Sequence, residues 1–106
     1  MIHATYQKAA TFIGNRVSVG HNAIVHGCRV NDHVLIGMGA IVMDNAVINE
    51  YCIIGAGSVV LENTVCESGY LYAGTPAKKI KPVTEEQRAL LNKLPDNYIM
   101  YADWFK

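Results

Sequence analysis

Large aliphatic residues recur every six positions along most of this chain, and this period is the strongest constraint on its fold. Every step in the series is six residues except the five-residue step from Val25 to Val30. Small residues such as Ala40 follow four positions after an aliphatic, and turn formers such as Asn22 and Asn45 lie between the aliphatics. The aliphatic positions are Ile13, Val19, Val25, Val30, Ile36, Val42, Ile48, Ile54 and Val60.

A six-residue period predicts short strands that turn at regular intervals and therefore coil. Each hexad gives one strand with its aliphatic directed inward, and Gly or Asn tolerates the positive φ of the following turn. If three hexads close one triangular turn of about 18 residues, parallel strands stack roughly 4.8 Å apart and the aliphatics form inner columns. A β-sandwich, the alternative, would need period-two alternation and hairpin turns. We therefore predict an all-β parallel β-helix of about three coils over residues 1–65.

The repeat fades after Val65, and two further segments are predicted beyond it. Residues 66–83 contain two prolines and predict an exit loop. Residues 84–106 predict a C-terminal helical segment that packs on the β-helix. Thr84 and Gln87 have the spacing of a capping box at the start of an α-helix, and Pro95 ends it. The apolar stripe of this helix consists of Leu90, Leu91 and Leu94.

Charge and cysteine content narrow the class of partner and compartment. Nine basic and nine acidic residues balance, which argues against nucleic acid or an anionic membrane as the main partner. The chain is 51% hydrophobic, yet no apolar run approaches the roughly 20 residues of a membrane span. Three cysteines without CxxC spacing favour reduced thiols in a cytoplasmic protein over a disulfide. A small domain this apolar is expected to cover part of its surface in an oligomer.

The histidines acquire meaning once they are placed on the coil. His21 is the third residue of the hexad that begins at Val19, and His26 is the second residue of the next hexad. The two therefore lie on successive sides of the prism. His3 follows Ile2 as His26 follows Val25, so a bulge at residues 6–10 would make His3 and His26 vertical neighbours.

Two imidazoles are too few for a catalytic zinc site, which typically has three protein ligands and one open position. Three prisms around a three-fold axis would bring His3 and His26 of one subunit against His21 of the next. This arrangement predicts three identical three-histidine sites between subunits. Taken singly, each of these histidines also fits an ordinary surface or hydrogen-bonded role, and His33 is expected to be a solvated turn residue.

Several stretches together resemble the γ-class carbonic anhydrase family of the hexapeptide-repeat superfamily, over essentially the whole chain. They are "IHA" (2–4), "VGHNAIVHGC" (19–28), "LIGMGAIV" (35–42), "IIGAGSVV" (53–60) and "YLYAGTPAKKI" (70–80). The resemblance implies a left-handed coil and a homotrimer. It also implies zinc, or another divalent ion such as cobalt or iron, held between subunits by His3, His26 and the neighbour's His21.

The activity that the resemblance implies is that of a lyase, the reversible hydration of CO₂ to bicarbonate by a metal-bound hydroxide. Asn97 and Tyr98, in "DNY", match a C-terminal segment that reaches toward the site in relatives. Members of the family carry several coils before the first ligand histidine, with an Arg/Asp pair and a solvent-orienting Gln. This chain begins one residue before Ile2, so we expect reduced activity and an open N-terminal end that a second trimer or another chain covers.

Two other functions fit the same sequence. The superfamily contains acyltransferases that use coenzyme A thioesters, in which His21 or His26 would act as general base. Three lysines, Lys78, Lys79 and Lys81, would then offer charge to the phosphates of coenzyme A. The other alternative is a non-catalytic metal-binding scaffold.

Overall fold

The chain folds into a three-sided coil of short strands followed by one helix. The structure is a computed structural model that describes residues 10–96. In chain order the elements are β1 (Phe12–Ile13), β2 (Val17–Val19), β3 (Ile24–Val25), β4 (Arg29–Val30), β5 (Val34–Ile36), β6 (Ile41–Val42), β7 (Val47–Ile48), β8 (Ile53–Ile54), β9 (Val59–Val60), β10 (Val65–Cys66), β11 (Tyr70–Ala73), β12 (Lys78–Pro82) and α1 (Glu85–Asn92).

Three sheets form the sides of the coil. The four-strand face has the order β1-β4-β7-β10, the three-strand face β3-β6-β9, and the five-strand face β12-β11-β8-β5-β2. Strands that follow one another along the chain lie in different sheets, and each pairs in parallel with the strand one turn above it. The predicted fold class, an all-β parallel β-helix with a C-terminal helix, is confirmed.

The coil length is 17 residues in the lower turn and 18 in the upper. Val17 pairs with Val34, whereas Leu35 pairs with Ile53. The difference arises where the chain passes from the three-strand face to the four-strand face. Three residues, 26–28, connect β3 to β4, whereas four residues, 43–46, connect β6 to β7. The one irregular step of the sequence repeat therefore marks the corner that contains His26.

The predicted inner columns are confirmed as the core of the molecule. Ile36 is fully buried, and it lies in register between Val19 below and Ile54 above. The eight repeat aliphatics that are at most 1% exposed are Val19, Val25, Val30, Ile36, Val42, Ile48, Ile54 and Val60. Ile13, the first of the series, is half-buried against them. Removal of these side chains from water is the main source of stability, because hydrophobic transfer scales with the buried apolar area.

The segment expected as an exit loop, residues 66–83, contains regular structure. Leu71 and Tyr72 of β11 pair with Ile53 and Ile54 of β8, and β12 then turns back antiparallel to β11. Further pairing satisfies the polar backbone groups at the upper edge of β8, which would otherwise lack partners within the coil. The boundaries drawn at residues 65 and 83 stay a prediction.

The helix begins where the sequence predicts. Thr84 accepts a hydrogen bond from the Gln87 backbone, and the Gln87 side chain accepts one from the Thr84 backbone, so the capping box is confirmed. The predicted apolar stripe is only partly correct. Leu91 is buried and Leu94 half-buried, but Leu90 is 53% exposed, because only one edge of the helix meets the coil. The rest of the predicted helical segment, 97–106, lies outside the described residues.

Within residues 10–96, no helix has the length and apolar character needed to cross a membrane.

Candidate metal centre

Two of the predicted ligands lie at opposite ends of one strand. His21 is in the turn that leads from β2 into β3, and His26 directly follows β3. We call these turns the His21 corner and the His26 corner; together they bound the three-strand face. His21 is exposed, and the side chain of His26 is 43% exposed. Each imidazole is thus accessible from outside the coil, as the sequence predicts for residues on different corners.

Close contact between coils shapes the His21 corner. A Cβ on Gly20 would lie 2.6 Å from the Met38 nitrogen, and one on Gly37 would lie 2.6 Å from the Ala56 nitrogen. Only glycine fits at such distances from backbone atoms. The backbone N–H of Gly39, one coil up, donates to the His21 carbonyl over 2.8 Å, so the turn that presents His21 is fixed to the next coil.

A carboxylate lies against His26 that sequence analysis did not identify. The Nδ1 atom of His26 is 3.3 Å from Oδ1 of Asp44, which occupies the same corner one coil higher. The Asp44 side chain is 16% exposed, so it is much less accessible than the imidazole. The signal was present in the sequence, since Asp44 follows His26 by 18 residues, the predicted coil length.

The other predicted site residues are His3, Asn97 and Tyr98, and all three lie outside the described residues. Among residues 10–96, no group of three or more His, Cys, Asp or Glu side chains is placed to hold a metal ion. This agrees with the expectation that His21 and His26 of one subunit do not meet each other.

An apolar column runs between the two corners on the outside of the three-strand face. Ile24, Ile41 and Val59 stack in register, and their side chains alternate with the inward core residues. Ile24 is 49% exposed, while Ile41 and Val59 are half-buried. An apolar column open to solvent in a single chain is typical of a surface that another protein covers.

His33 has a role that the sequence analysis missed, since it was expected to be a solvated turn residue. Its Nδ1 lies 3.2 Å from the Leu91 carbonyl at the end of α1, and it must donate because a carbonyl only accepts. Its ring stacks on that of Tyr51. His33 therefore helps to hold the helix rather than contributing to the candidate metal centre. No sequence signal could have shown this, because its partners lie far along the chain.

The three cysteines are free and buried, as the sequence predicts. Burial raises the pKa of Cys28 and of Cys66 to about 12, and burial also raises the pKa of Cys52. A thiol with so high a pKa is neither a nucleophile nor a metal ligand at neutral pH, because both roles need the thiolate.

Of the lysines considered for binding coenzyme A, Lys79 is already engaged. Its Nζ donates to Oε1 of Glu67 over 2.9 Å and lies 4.6 Å from the centroid of the Tyr70 ring. The hydrogen bond and the charge of Glu67 raise the pKa of Lys79. Lys78 and Lys81 are exposed on β12.

Comparison with known proteins first defines the class. The model of the bacterial transferase hexapeptide family, with six repeats, matches residues 27–62. A solved structure of a hexapeptide transferase family protein from Anaplasma phagocytophilum is 42% identical, with a TM-score of 0.77 over 78% of this chain and 50% of that one. Together with the coil, these matches identify the chain as a hexapeptide-repeat protein.

Two curated relatives narrow this class. The protein YrdA of Escherichia coli K12 is 42% identical over 97% of this chain and 59% of its own length. The mitochondrial gamma carbonic anhydrase 2 of Arabidopsis thaliana is 40% identical over 87% of this chain and 33% of its own length. Within the hexapeptide-repeat superfamily, the chain belongs to the γ-class carbonic anhydrase-like family. It spans a third to three fifths of the length of these two relatives.

Proposed function

We propose that three copies of this chain form a homotrimer that binds a divalent metal at each subunit contact and catalyses the reversible hydration of CO₂. His3 and His26 of one subunit and His21 of its neighbour would be the ligands. One observation carries the proposal: His21 and His26 bound the two ends of β3, and the outer face between them is an apolar column.

Three-fold symmetry connects these features. If the three-strand face of each subunit is directed at the axis, the column of Ile24, Ile41 and Val59 is covered by its symmetry mates. The His26 corner of each subunit then meets the His21 corner of the next, because the two corners flank the same face. Closed cyclic symmetry repeats this contact three times. A ligand set split between subunits also accounts for the lack of a three-residue cluster within residues 10–96.

The residues present suit a borderline-soft divalent cation. Neutral imidazoles are common ligands of zinc, and three of them with one open position form a typical catalytic site. The hydrogen bond of His26 Nδ1 to Asp44 leaves Nε2 as the ring nitrogen with a free lone pair. We favour zinc for this reason; cobalt and iron also accept imidazole ligands.

A metal at this position would supply a Lewis acid that lowers the pKa of water toward about 7, which allows attack on CO₂ at neutral pH. The chain itself contributes three neutral ligands, so the site keeps a positive charge that attracts anionic bicarbonate. His26 is held in one orientation by Asp44. The backbone bond from Gly39 to His21 keeps the opposite corner in place.

Metal analysis of the purified protein and a CO₂ hydration assay test this function. Wild-type protein is expected to bind one metal ion per chain, and His26→Ala and His21→Ala should each bind none while the coil remains folded. His33→Asn is the matched control, because it removes a histidine from the helix contact and asparagine tolerates the positive φ at this position. Undiminished metal content in His26→Ala would overturn the ligand assignment.

Mixing subunits tests the trimer separately. Unfolding His21→Ala and His26→Ala together and refolding the mixture should restore metal binding to about a quarter of the wild-type level, since one contact in four joins an intact His26 to an intact His21. If both histidines acted within one chain, the mixture would bind no metal.

A coenzyme A-dependent acyltransferase is the second candidate, and a non-catalytic metal-binding scaffold is the third. The family description and the transferase family structure favour the acyltransferase, as do the exposed Lys78 and Lys81. An acyltransferase would bind coenzyme A without stoichiometric metal. A scaffold would bind metal without hydrating CO₂. We place the protein in the cytoplasm, because three free thiols are typical of a reducing compartment.

A further inference from the structure

We infer that Asp44 is a positioning residue for the metal ligand His26. The inference rests on the proposed function, and it extends the site from its ligands to the group that orients one of them. The observation is the contact between His26 Nδ1 and Asp44 Oδ1 at 3.3 Å, across one turn of the coil.

The chemistry of the two groups sets the tautomer. A neutral imidazole carries one N–H and one lone pair, and a carboxylate only accepts hydrogen bonds. The contact therefore places the proton on Nδ1 and leaves the lone pair on Nε2, the nitrogen available to a metal. Histidines that bind metals commonly donate their other ring N–H to a carboxylate or carbonyl, which fixes the ring orientation and increases its basicity as a ligand.

The coil holds Asp44 firmly above the imidazole. The Asn63 backbone N–H donates to the Asp44 carbonyl over 3.1 Å, which ties this corner to the coil above. The Asn45 backbone N–H donates to the Gly27 carbonyl over 2.7 Å, which ties it to the coil below. Because both neighbours of the contact are bonded across the ladder, the distance from Asp44 to His26 follows from the register of the coils.

The difference in exposure distinguishes this contact from a surface ion pair. The Asp44 side chain is 16% exposed and the His26 side chain 43%. The carboxylate is the inner member of the pair, and the imidazole extends past it to the outside. An exposed ion pair contributes little on average. A largely buried carboxylate beneath an accessible imidazole is instead the arrangement expected of a ligand and its support.

Cobalt binding and the tautomer of His26 test the inference. The affinity for Co²⁺ is measured by chelator competition on wild type, Asp44→Ala and Asp44→Asn. We expect Asp44→Ala to weaken Co²⁺ binding by about 10- to 100-fold. Asp44→Asn should show a smaller loss, since its amide oxygen still accepts a hydrogen bond. In the metal-free protein, ¹⁵N NMR should show the proton on Nδ1 of His26 in wild type and a mixture of tautomers in Asp44→Ala.

Glu62 provides the matched control. It follows Asp44 by another 18 residues at the same corner, and it is exposed. Glu62→Gln removes the same charge from the same side of the coil and should leave both the Co²⁺ affinity and the His26 tautomer unchanged. Equal Co²⁺ affinity and an unchanged tautomer in wild type, Asp44→Ala and Asp44→Asn would overturn this inference alone. Wild-type protein that binds no Co²⁺ would overturn the proposed function as well.

Discussion

His33 and Tyr51 stack with their ring centroids 4.7 Å apart and their planes 3° from parallel, and this pair connects the coil to the helix. The Arg88 guanidinium of α1 lies 4.1 Å from the centroid of the Tyr51 ring, and the Tyr51 hydroxyl donates to Asn92. His33 and Tyr51 both have positive φ, 58° and 61°. Non-glycine residues adopt this conformation at a cost of about 1–2 kcal/mol each, so contacts with the helix must offset it.

Tyr51→Ala should release the helix from the coil. The substitution removes the stack, the cation–π contact and the hydrogen bond to Asn92, while the positive φ remains unfavourable for alanine. We expect a loss of about 2 kcal/mol in the free energy of unfolding and faster amide exchange in α1 than in the strands. Tyr51→Asn should lose less, because asparagine tolerates positive φ. Leu90→Ala, an exposed position on the same helix, should stay within about 0.5 kcal/mol of wild type.

Gly37→Ala should destabilise the coil more than Gly57→Ala. A Cβ at Gly37 would lie 2.6 Å from the Ala56 backbone nitrogen, so the coils would have to separate. At Gly57 nothing lies within 4 Å, and only the positive φ of 70° penalises alanine. We expect losses of about 3 kcal/mol at Gly37 and about 1 kcal/mol at Gly57, measured by urea denaturation. Equal losses at both glycines would show that the close approach of the coils is not what requires Gly37.

Ile36→Ala should lower the free energy of unfolding by about 2–5 kcal/mol, because it leaves a cavity in the middle of an inner column. Ile36 is fully buried between Val19 and Ile54. Val65→Ala removes a side chain that is 63% exposed and should change the stability by less than about 0.5 kcal/mol. Chemical denaturation of the two variants measures both values, and a small effect at Ile36 would contradict the column as the source of stability.

Stability should fall as the pH rises above 9. Burial raises the pKa of Cys28 and of Cys66 from 9.0 to about 12, so between these values the unfolded chain has lost protons that the folded chain retains. Their contribution is fully present below pH 9 and is lost between pH 9 and 12. The slope is about 1.4 kcal/mol per pH unit for each thiol.

Urea denaturation at several pH values between 8 and 10.5 measures this slope. Cys66→Ala should have a shallower slope than wild type above pH 9 and the same slope below pH 8. The comparison cancels the titration of tyrosines and lysines, which is common to both proteins. An identical slope above pH 9 in the two proteins would contradict the effect of burial on the thiol.

The candidate site was only partly visible in the sequence. His21 and His26 occupy the corners predicted for them, because a residue's place within a hexad determines its side of the prism. Asp44 shows the limit of this reasoning. Its spacing from His26 equals one coil, yet the contact depends on side-chain orientation and on the shorter lower corner, which no repeat pattern specifies.

Nearly all of the coil follows from the sequence alone. In a solenoid each strand contacts mainly the strand one turn away, so a regular spacing of aliphatics specifies both the inward residues and their vertical partners. The capping box at Thr84 is likewise local, since its two hydrogen bonds join residues three apart.

The tertiary structure decided where the helix lies and which residues hold it. Arg16 donates to the Leu94 carbonyl over 2.7 Å and His33 to that of Leu91, contacts that join residues 78 and 58 positions apart. No periodicity relates the helix to the coil, so these pairings depend on how two finished surfaces pack together. For that reason three side chains at one corner, Arg16, His33 and Tyr51, adopt positive φ where the sequence led us to expect asparagine or glycine.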